Sequence, residues 1–379
     1  MKKSLLGIAT SLIVLPTLSY ADSPYFSFKD GDGFKRFSAS IGWLHAMPQG
    51  KANNVNVNTS AKSGTYAVGD VQLDTVTGAI ADTEAGNKAK DKLLGVAKLG
   101  ETLGLIKNGT LTADMSGKAQ INSLESWDNP NTGLEADDVD TVGMMFNYNF
   151  TDNVSLEIKA GIPPKVDIKG KGQISAPVVG VATPEGKLDG PPILGDLANV
   201  LINGIGDIPL DTKIPITDLT QGSKAASARA WLPAAEIHYQ FGKSGVNKFR
   251  PYVGVGVMYA YFNDVKLNSG IESDLIKAGH MVQNVLDGKA GAALDGKTSS
   301  ADPRVKVKAT DTFAPIATVG ATYDFNENWF AVGSVSYSKM NNEAKITVTD
   351  NNTGKELVNA KTKIDIDPVI TYLGVGYRF

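Results

Sequence analysis

Cysteine is absent from the 379 residues, which excludes a disulfide framework, a thiol nucleophile and a thiolate metal site. Histidine is almost absent: His45, His238 and His280 are all there is, so imidazole-based metal or nucleophile chemistry has little to draw on. Neither charge sign dominates. Lys and Arg number 37 against 40 Asp and Glu, a net charge of -3 spread along the chain, which disfavours nucleic acid as a partner. Long apolar runs are missing as well; past the amino terminus the longest is Tyr252 to Phe262 (YVGVGVMYAYF), well short of the roughly 20 residues a spanning helix needs. A β-strand, however, spans with about 9–11 tilted residues, and hydropathy averages hide it because alternate side chains face inward. The near-neutral mean hydropathy therefore says nothing against a membrane barrel. The sequence Asp30-Gly31-Asp32-Gly33 lacks the spaced ligands and closing Glu of a calcium loop, so no metal is expected there.

The two ends carry clear patterns. Lys2 and Lys3 precede an apolar run from Leu5 to Leu15 and the small-x-small sequence Ser19-Tyr20-Ala21, so residues 1–21 are expected to be a secretory signal peptide and 22–35 a periplasmic lead-in. At the other end, Val369, Thr371, Leu373, Val375, Tyr377 and Phe379 alternate with Pro368, Ile370, Tyr372, Gly374, Gly376 and Arg378. One face suits hydrocarbon and the other is mixed and Gly-rich. The ending Tyr372-x-Gly374-x-x-Tyr377-x-Phe379 resembles the C-terminal signal of bacterial outer-membrane barrels, which implies the barrel-assembly machinery as a partner through this strand.

The same alternation recurs along the chain. Strands are expected at Arg36 to about Ala46, at Val142 to Phe150 and Val154 to Ile162 about the turn Thr151-Asp152-Asn153, and at Trp231 to Phe241. Others follow at Phe249 to Phe262, at Thr312 to Phe325, at Trp329 to Met340 and in the closing strand. Short turns at one end and long polar stretches at the other are the asymmetry of an outer-membrane barrel. The expected fold is all-β: an eight-stranded antiparallel transmembrane β-barrel over 36–379 with large extracellular loops containing short helices. The insertions fall at about 47–138, 165–228, 263–311 and 341–365. Both termini are then periplasmic and the location is the bacterial outer membrane, in contact with lipid and lipopolysaccharide. The best helical pattern lies at Ile271, Leu275, Ala278, Val282, Val285 and Leu286. Apolar stretches also occur at Leu93, Leu94, Val96, Leu99, Leu103 and Ile106, and at Ile193, Leu194, Leu197, Val200 and Leu201. They form the core of an extracellular cap, a continuation of the lumen, or both.

Eight strands leave a lumen just wide enough to be filled by side chains, so straight-through transport is not the default. Sorting the inward positions by height gives a gradient. Arg36, Glu157, Lys159, Glu236, His238, Arg250 and Arg378 lie toward the short turns, where a paired ionic network forms a periplasmic plug, either structural or a titratable gate centred on His238. Leu44, Met145, Leu232, Met258, Phe262, Ile316 and Ile370 lie toward the other rim and suit small hydrophobic solutes. Pro48, Pro163, Pro233, Pro315 and Pro368 fall near the upper strand ends. They either end strands at loop junctions or, by removing ladder donors, weaken the wall enough for a lateral opening. Trp43, Tyr148, Phe150, Trp231, Tyr239, Phe241, Tyr259, Tyr261, Tyr323, Phe325, Trp329, Tyr337 and Phe379 suit the two membrane interfaces. The acidic cluster Glu135, Asp137, Asp138 and Asp140 is expected to be a solvated rim. A hydrolase would need Ser beside His with an orienting carboxylate; His238 has Glu236 and Gln240 but no Ser in phase, so neither an enzyme nor a cofactor is expected.

A family likeness rests on separated motifs in one order: Thr151-Asp152-Asn153-Val154 with Glu157, Leu232-Pro233, Tyr239 to Gly242, Phe249-Arg250-Pro251-Tyr252-Val253-Gly254-x-Gly256, and Asp367-Pro368 ahead of Gly376-Tyr377-Arg378-Phe379. Together they resemble the OmpW/AlkL family, over the strands and turns rather than the loops. The resemblance implies a barrel that passes small hydrophobic molecules passively across the outer membrane, closed below and open sideways. The size of the insertions keeps a second reading alive, a structural or receptor barrel whose loops bind host surfaces, phage or other proteins.

Overall fold

The computed structural model describes residues 34–188 and 192–379. The expected signal peptide, and all of the lead-in but its last two residues, lie outside them. Eight long strands close into one barrel: β1 (Phe37–Met47), β2 (Val139–Asn149), β3 (Val154–Gly161), β4 (Ala234–Gln240), β5 (Phe249–Leu267), β6 (Thr312–Asp324), β7 (Trp329–Ser338) and β8 (Val369–Arg378). Every neighbouring pair is antiparallel. The cylinder shuts where β1 pairs with both β2 and β8, with Ile41 opposite Met144 on one side and Val375 on the other. Among the described residues no helix is long and apolar enough to cross a membrane.

The period-two alternation sorts the two faces. Val255, Leu373 and Ile41 point away from the lumen at 66%, 62% and 58% exposure, while Glu236 and Arg250, on the opposite parity of their strands, are 1% and 2% exposed. A soluble protein does not leave a continuous aliphatic belt uncovered. Aromatics mark the two edges of this belt. At the turn end Tyr148–Phe150, Tyr239–Phe241, Trp329–Tyr377 and Tyr377–Phe379 pack edge to face with centroids 5.1–5.3 Å apart; at the other end Tyr259 lies 4.8 Å from Phe313. Ten residues of β5 separate Phe249 from Tyr259, about 34 Å of strand, or about 25 Å along the membrane normal at a typical tilt, which matches an outer-membrane apolar band.

Inside, glycine makes room for rings. A Cβ on Gly376 would sit 2.2 Å from Phe330 Cζ, one on Gly374 2.5 Å from the Tyr372 hydroxyl, one on Gly320 2.5 Å from Tyr252 Cζ and one on Gly254 2.2 Å from His238 Cδ2. The Gly-rich inward face of β8 is thus the complement of an aromatic layer.

Two expectations about strands need correction. The fourth strand is not continuous from Trp231: Pro233, which cannot donate to the ladder, separates β4 from a second strand, Ala226–Trp231, and both pair with β5. Strand β5 in turn does not stop at Phe262 but runs on to Leu267, carrying the barrel wall upward.

The insertions are more strand-rich than expected. One sheet pairs Pro303–Ala309, Asn341–Asp350, Glu356–Asp365, Val55–Thr59 and Ser126–Asn129 in that order; another pairs Ile208–Asp218, Gln173–Thr183, Lys118–Ile121 and Gly64–Ala67. Helices α1 (Glu84–Thr102), α2 (Pro192–Asn203) and α3 (Ser269–Leu286) pack among them, and α1 and α3 are not short at 19 and 18 residues. Ile271, Leu275, Ala278, Val282 and Val285 of α3 are buried, as their spacing implies, and nothing is described of the Ile193 and Leu194 side chains.

Gly376→Ala should displace Phe330 and destabilise the barrel by about 1–3 kcal/mol, read as a lower denaturant midpoint in micelles. Gly95→Ala on the exposed face of α1, where a new Cβ meets nothing within 4 Å, should do the opposite by up to about 1 kcal/mol.

Candidate functional site

The lumen is built in four layers. At the turn end, Arg250 donates to the Asp152 carbonyl at 2.6 Å, the Ser244 hydroxyl at 2.7 Å and the Phe241 and Gly242 carbonyls at 3.3 Å, and its guanidinium lies 3.2 Å from the Asp152 carboxylate. It pins the β2–β3 and β4–β5 turns together. Arg378 pairs with Asp324 at 2.8 Å and lies 4.3 Å over the Phe330 ring. Arg36 reaches the Phe150 carbonyl at 3.4 Å. These three arginines fasten turns and strand ends locally rather than bridging the lumen.

The bridge belongs to a higher layer. Lys159 Nζ on β3 stands 2.5 Å from Glu236 Oε1 on β4 and 3.7 Å from Glu157 Oε1, and it donates to Thr318 on β6 at 2.9 Å and Ser336 on β7 at 3.1 Å. His238 Nε2 lies 3.2 Å from Glu236 Oε2 and 3.7 Å from Glu157 Oε1, and Asn147 donates to Glu157 Oε2 at 2.9 Å. One ammonium, two carboxylates and an imidazole, all nearly solvent-free, tie together strands from opposite walls. Beside them is the aromatic layer: Met145, Tyr252, Phe330, Val332 and Tyr372 form one buried cluster, with Tyr252 stacked on His238 at 4.9 Å and the Tyr372 hydroxyl donating to Ser40 at 3.0 Å.

Above lies an aliphatic layer of Ala234, Met258, Ala314, Ile316 and Ile370. It opens into a cavity of about 140 Å³, walled by Leu232 and Phe262 from the barrel, Val139, Met340 and Pro368 at its rim, and Val57, Leu275 and Val282 from the insertions. The seven expected solute-facing residues thus divide. Leu232 and Phe262 line the cavity; Met258, Ile316 and Ile370 close the floor beneath it; Met145 belongs to the aromatic layer instead, and Leu44 packs against both clusters. The empty space is higher than the alternation implied because eight strands fill themselves, and room appears only where insertions widen the enclosure.

The five prolines also divide. The register of β3 with β4 ends at Lys159↔Ala234 and pairing resumes only where Ala230 donates to the Pro164 carbonyl at 3.0 Å, leaving a break in the wall with Pro163 on one side and Pro233 on the other. Pro315 faces outward in β6 opposite Val257, and its carbonyl accepts from Ser338 at 2.9 Å. Pro48 and Pro368 line the cavity, and Pro368 is fully buried, so these two lie inside rather than at a lipid-facing seam. Tyr252, Phe330, Tyr372, Thr318 and Ser336 were not among the expected site residues. Parity placed them inward, and the signal that could have picked out the rings was the run of glycines across the ladder from them.

The sequence profile of the OmpW family matches residues 292–379. Outer membrane protein W of Vibrio cholerae serotype O1 is 24% identical over 239 residues, 63% of this chain and 73% of that protein. Among solved structures, OprG of Pseudomonas aeruginosa aligns at 15% identity over 92% of this chain and 98% of its own, with a TM-score of 0.46. AlkL in lipid bilayers aligns at 15% identity over 95% and 97%, with a TM-score of 0.36. The family's profile on its C-terminal strands, a relative at 24% identity matched along most of its own length and eight strands closed into a lipid-faced cylinder make this chain similar to the OmpW family of outer-membrane β-barrels.

Proposed function

We propose that this barrel is a passive conduit for small hydrophobic molecules, which are taken from the extracellular side into the aliphatic cavity and released sideways into the membrane. The observation that carries the reading is the vertical order of the lumen: an aliphatic cavity lies over a buried ionic bridge. A cavity of this size and lining stays dry and holds a benzene-sized guest. Passage downward would require separating Lys159 from its buried carboxylates, which costs several kcal/mol. The break at Pro163 and Pro233 lies just above that bridge, since Lys159 and Ala234 are the last paired residues below it.

The insertions extend the conduit outward. A cavity of about 60 Å³ shares Met281 with the main one, and a third of about 70 Å³ shares Val68, Val71, Val76 and Ala182 with the second and reaches α1 and α2. There Leu99, Leu103 and Leu197 are exposed at the mouth. Those same exposed leucines favour a second reading, in which the insertions bind another macromolecule and the lumen is idle. In the proposed orientation the short turns and both ends of the barrel chain are periplasmic, and the closing strand is what the assembly machinery engages.

Uptake into vesicles or cells of an apolar and a polar solute of similar size separates the readings. The apolar solute should enter faster. Ala278→Phe, which fills the cavity, should cut that uptake about tenfold, equivalent to about 1.4 kcal/mol, and Pro233→Val should slow it while leaving cavity binding intact. If neither solute enters through the unaltered barrel, the conduit reading fails and the macromolecular one gains.

The bridge makes its own prediction. Lys159→Met leaves Glu157 and Glu236 buried without their ammonium and should destabilise the barrel by about 3–5 kcal/mol, whereas adding Glu157→Gln and Glu236→Gln to it should recover much of that loss in the same unfolding assay.

A further inference from the structure

The five-stranded sheet of the insertions has two chemically opposite faces. Its inner face supplies Val57, Ala344, Ile346 and Ala360 to the cavity wall. On its outer face Lys308, Lys345 and Lys361 stand in direct cross-strand register on three adjacent strands, Lys308 opposite Lys345 and Lys345 opposite Lys361. Residues paired this way hold their Cβ atoms about 4.5–5.5 Å apart, and like charges so placed repel.

Among the described residues, none of the three has a carboxylate within ion-pair distance. Lys306, one step along the same face of the edge strand, has none either. The acidic groups nearby are committed or peripheral: Asp128, at the far end of the row, accepts from Asn56 at 2.9 Å, Glu343 stands opposite Lys363, and Asp302 pairs with Arg304 at 3.6 Å. Lysines on an edge strand are a common guard against unwanted strand pairing. That explanation covers Lys306 and Lys308 on Pro303–Ala309. It does not cover Lys345 and Lys361, which sit on interior strands of the sheet.

We infer that this lysine row is a docking surface for the phosphorylated saccharide head of lipopolysaccharide. The geometry supplies the reason for that partner. The strand bearing Lys345 continues upward from the end of β7, so the lysine stands on the order of 15–20 Å above Ser338 along the membrane normal at about 3.4 Å per residue and a typical barrel tilt, where the phosphates and inner sugars of an outer leaflet lie. Three ammonium groups at strand spacing neutralise clustered phosphates as divalent cations otherwise would. The inference rests on the extracellular orientation proposed above but not on solute passage, so the two can fail separately.

The test uses the full chain in phosphatidylethanolamine–phosphatidylglycerol vesicles with and without lipopolysaccharide, read as the thermal unfolding midpoint with no solute present. Intact lipopolysaccharide should raise the midpoint of the unaltered protein, less so at high salt, and dephosphorylated lipopolysaccharide should not. The triple variant K308Q/K345Q/K361Q should lose most of that rise, and the triple Lys→Arg variant should keep it. Without lipopolysaccharide the Gln variant should melt no lower than the unaltered protein, since it relieves repulsion within the sheet, and this shows that it folds. An equal rise in the Gln variant, or an equal effect of the dephosphorylated lipid, would overturn the inference.

Discussion

A backbone N–H or C=O in hydrocarbon has no water to turn to, so a sheet that crosses a membrane must leave no edge. Here that requirement is met by the pairing of β1 with β8, which runs from Ser38↔Arg378 to Met47↔Val369 without interruption. Closing after eight strands then fixes the diameter, and the diameter fixes what the inside can be. Large side chains pointing inward on one strand need glycines on the strands they cross, which is why Phe330, Tyr372, Tyr252 and His238 each lie where a neighbouring Cβ would collide. The packed lumen follows from closure at this size.

How far this was legible in the residues depends on which constraint governs each stretch. In the membrane a single rule, apolar outward at every second position, acts on every strand, so the strands of Val142–Phe150 and Thr312–Phe325 could be located within a few residues from parity alone. The insertions obey no such rule. Val55 and Val57 alternate with Asn56 and Asn58 because one face covers a cavity and the other meets water; in a five-residue strand that pattern is too short to stand out from a polar loop. The lumen residues sit between these cases. Parity gave the inward set, but height within the barrel depends on register and shear, which are non-local. Hence Met145 was expected near the mouth and packs instead beside Tyr252.

The insertions also change what the narrow barrel can hold. An eight-stranded wall has no spare volume of its own, yet β5 runs beyond the rim and pairs there with Ala226–Trp231, while the strands Asn341–Asp350 and Glu356–Asp365 continue from β7 toward β8. The wall therefore rises out of the bilayer before the insertions roof it with α3. The cavity lies at that transition, bounded below by barrel side chains and above by insertion side chains, so neither part could form it alone.

The ionic bridge across the lumen fits the same logic. Buried ion pairs seldom add stability over apolar packing, because desolvation offsets their attraction, so the cluster of Lys159, Glu157, Glu236 and His238 needs another reason to be there. A solute that is comfortable among Met258, Ile316 and Leu232 would find nothing to replace the attraction it must break to go lower, and it gains nothing by leaving one hydrocarbon environment for ions. Hydrocarbon outside the wall, by contrast, is nearly equivalent to hydrocarbon within it. In the proposed conduit a polar layer under an aliphatic one would set the direction of release by solvation alone, without a moving part, and strand pairing is interrupted just above that layer, between Lys159↔Ala234 and the Ala230 bond to Pro164.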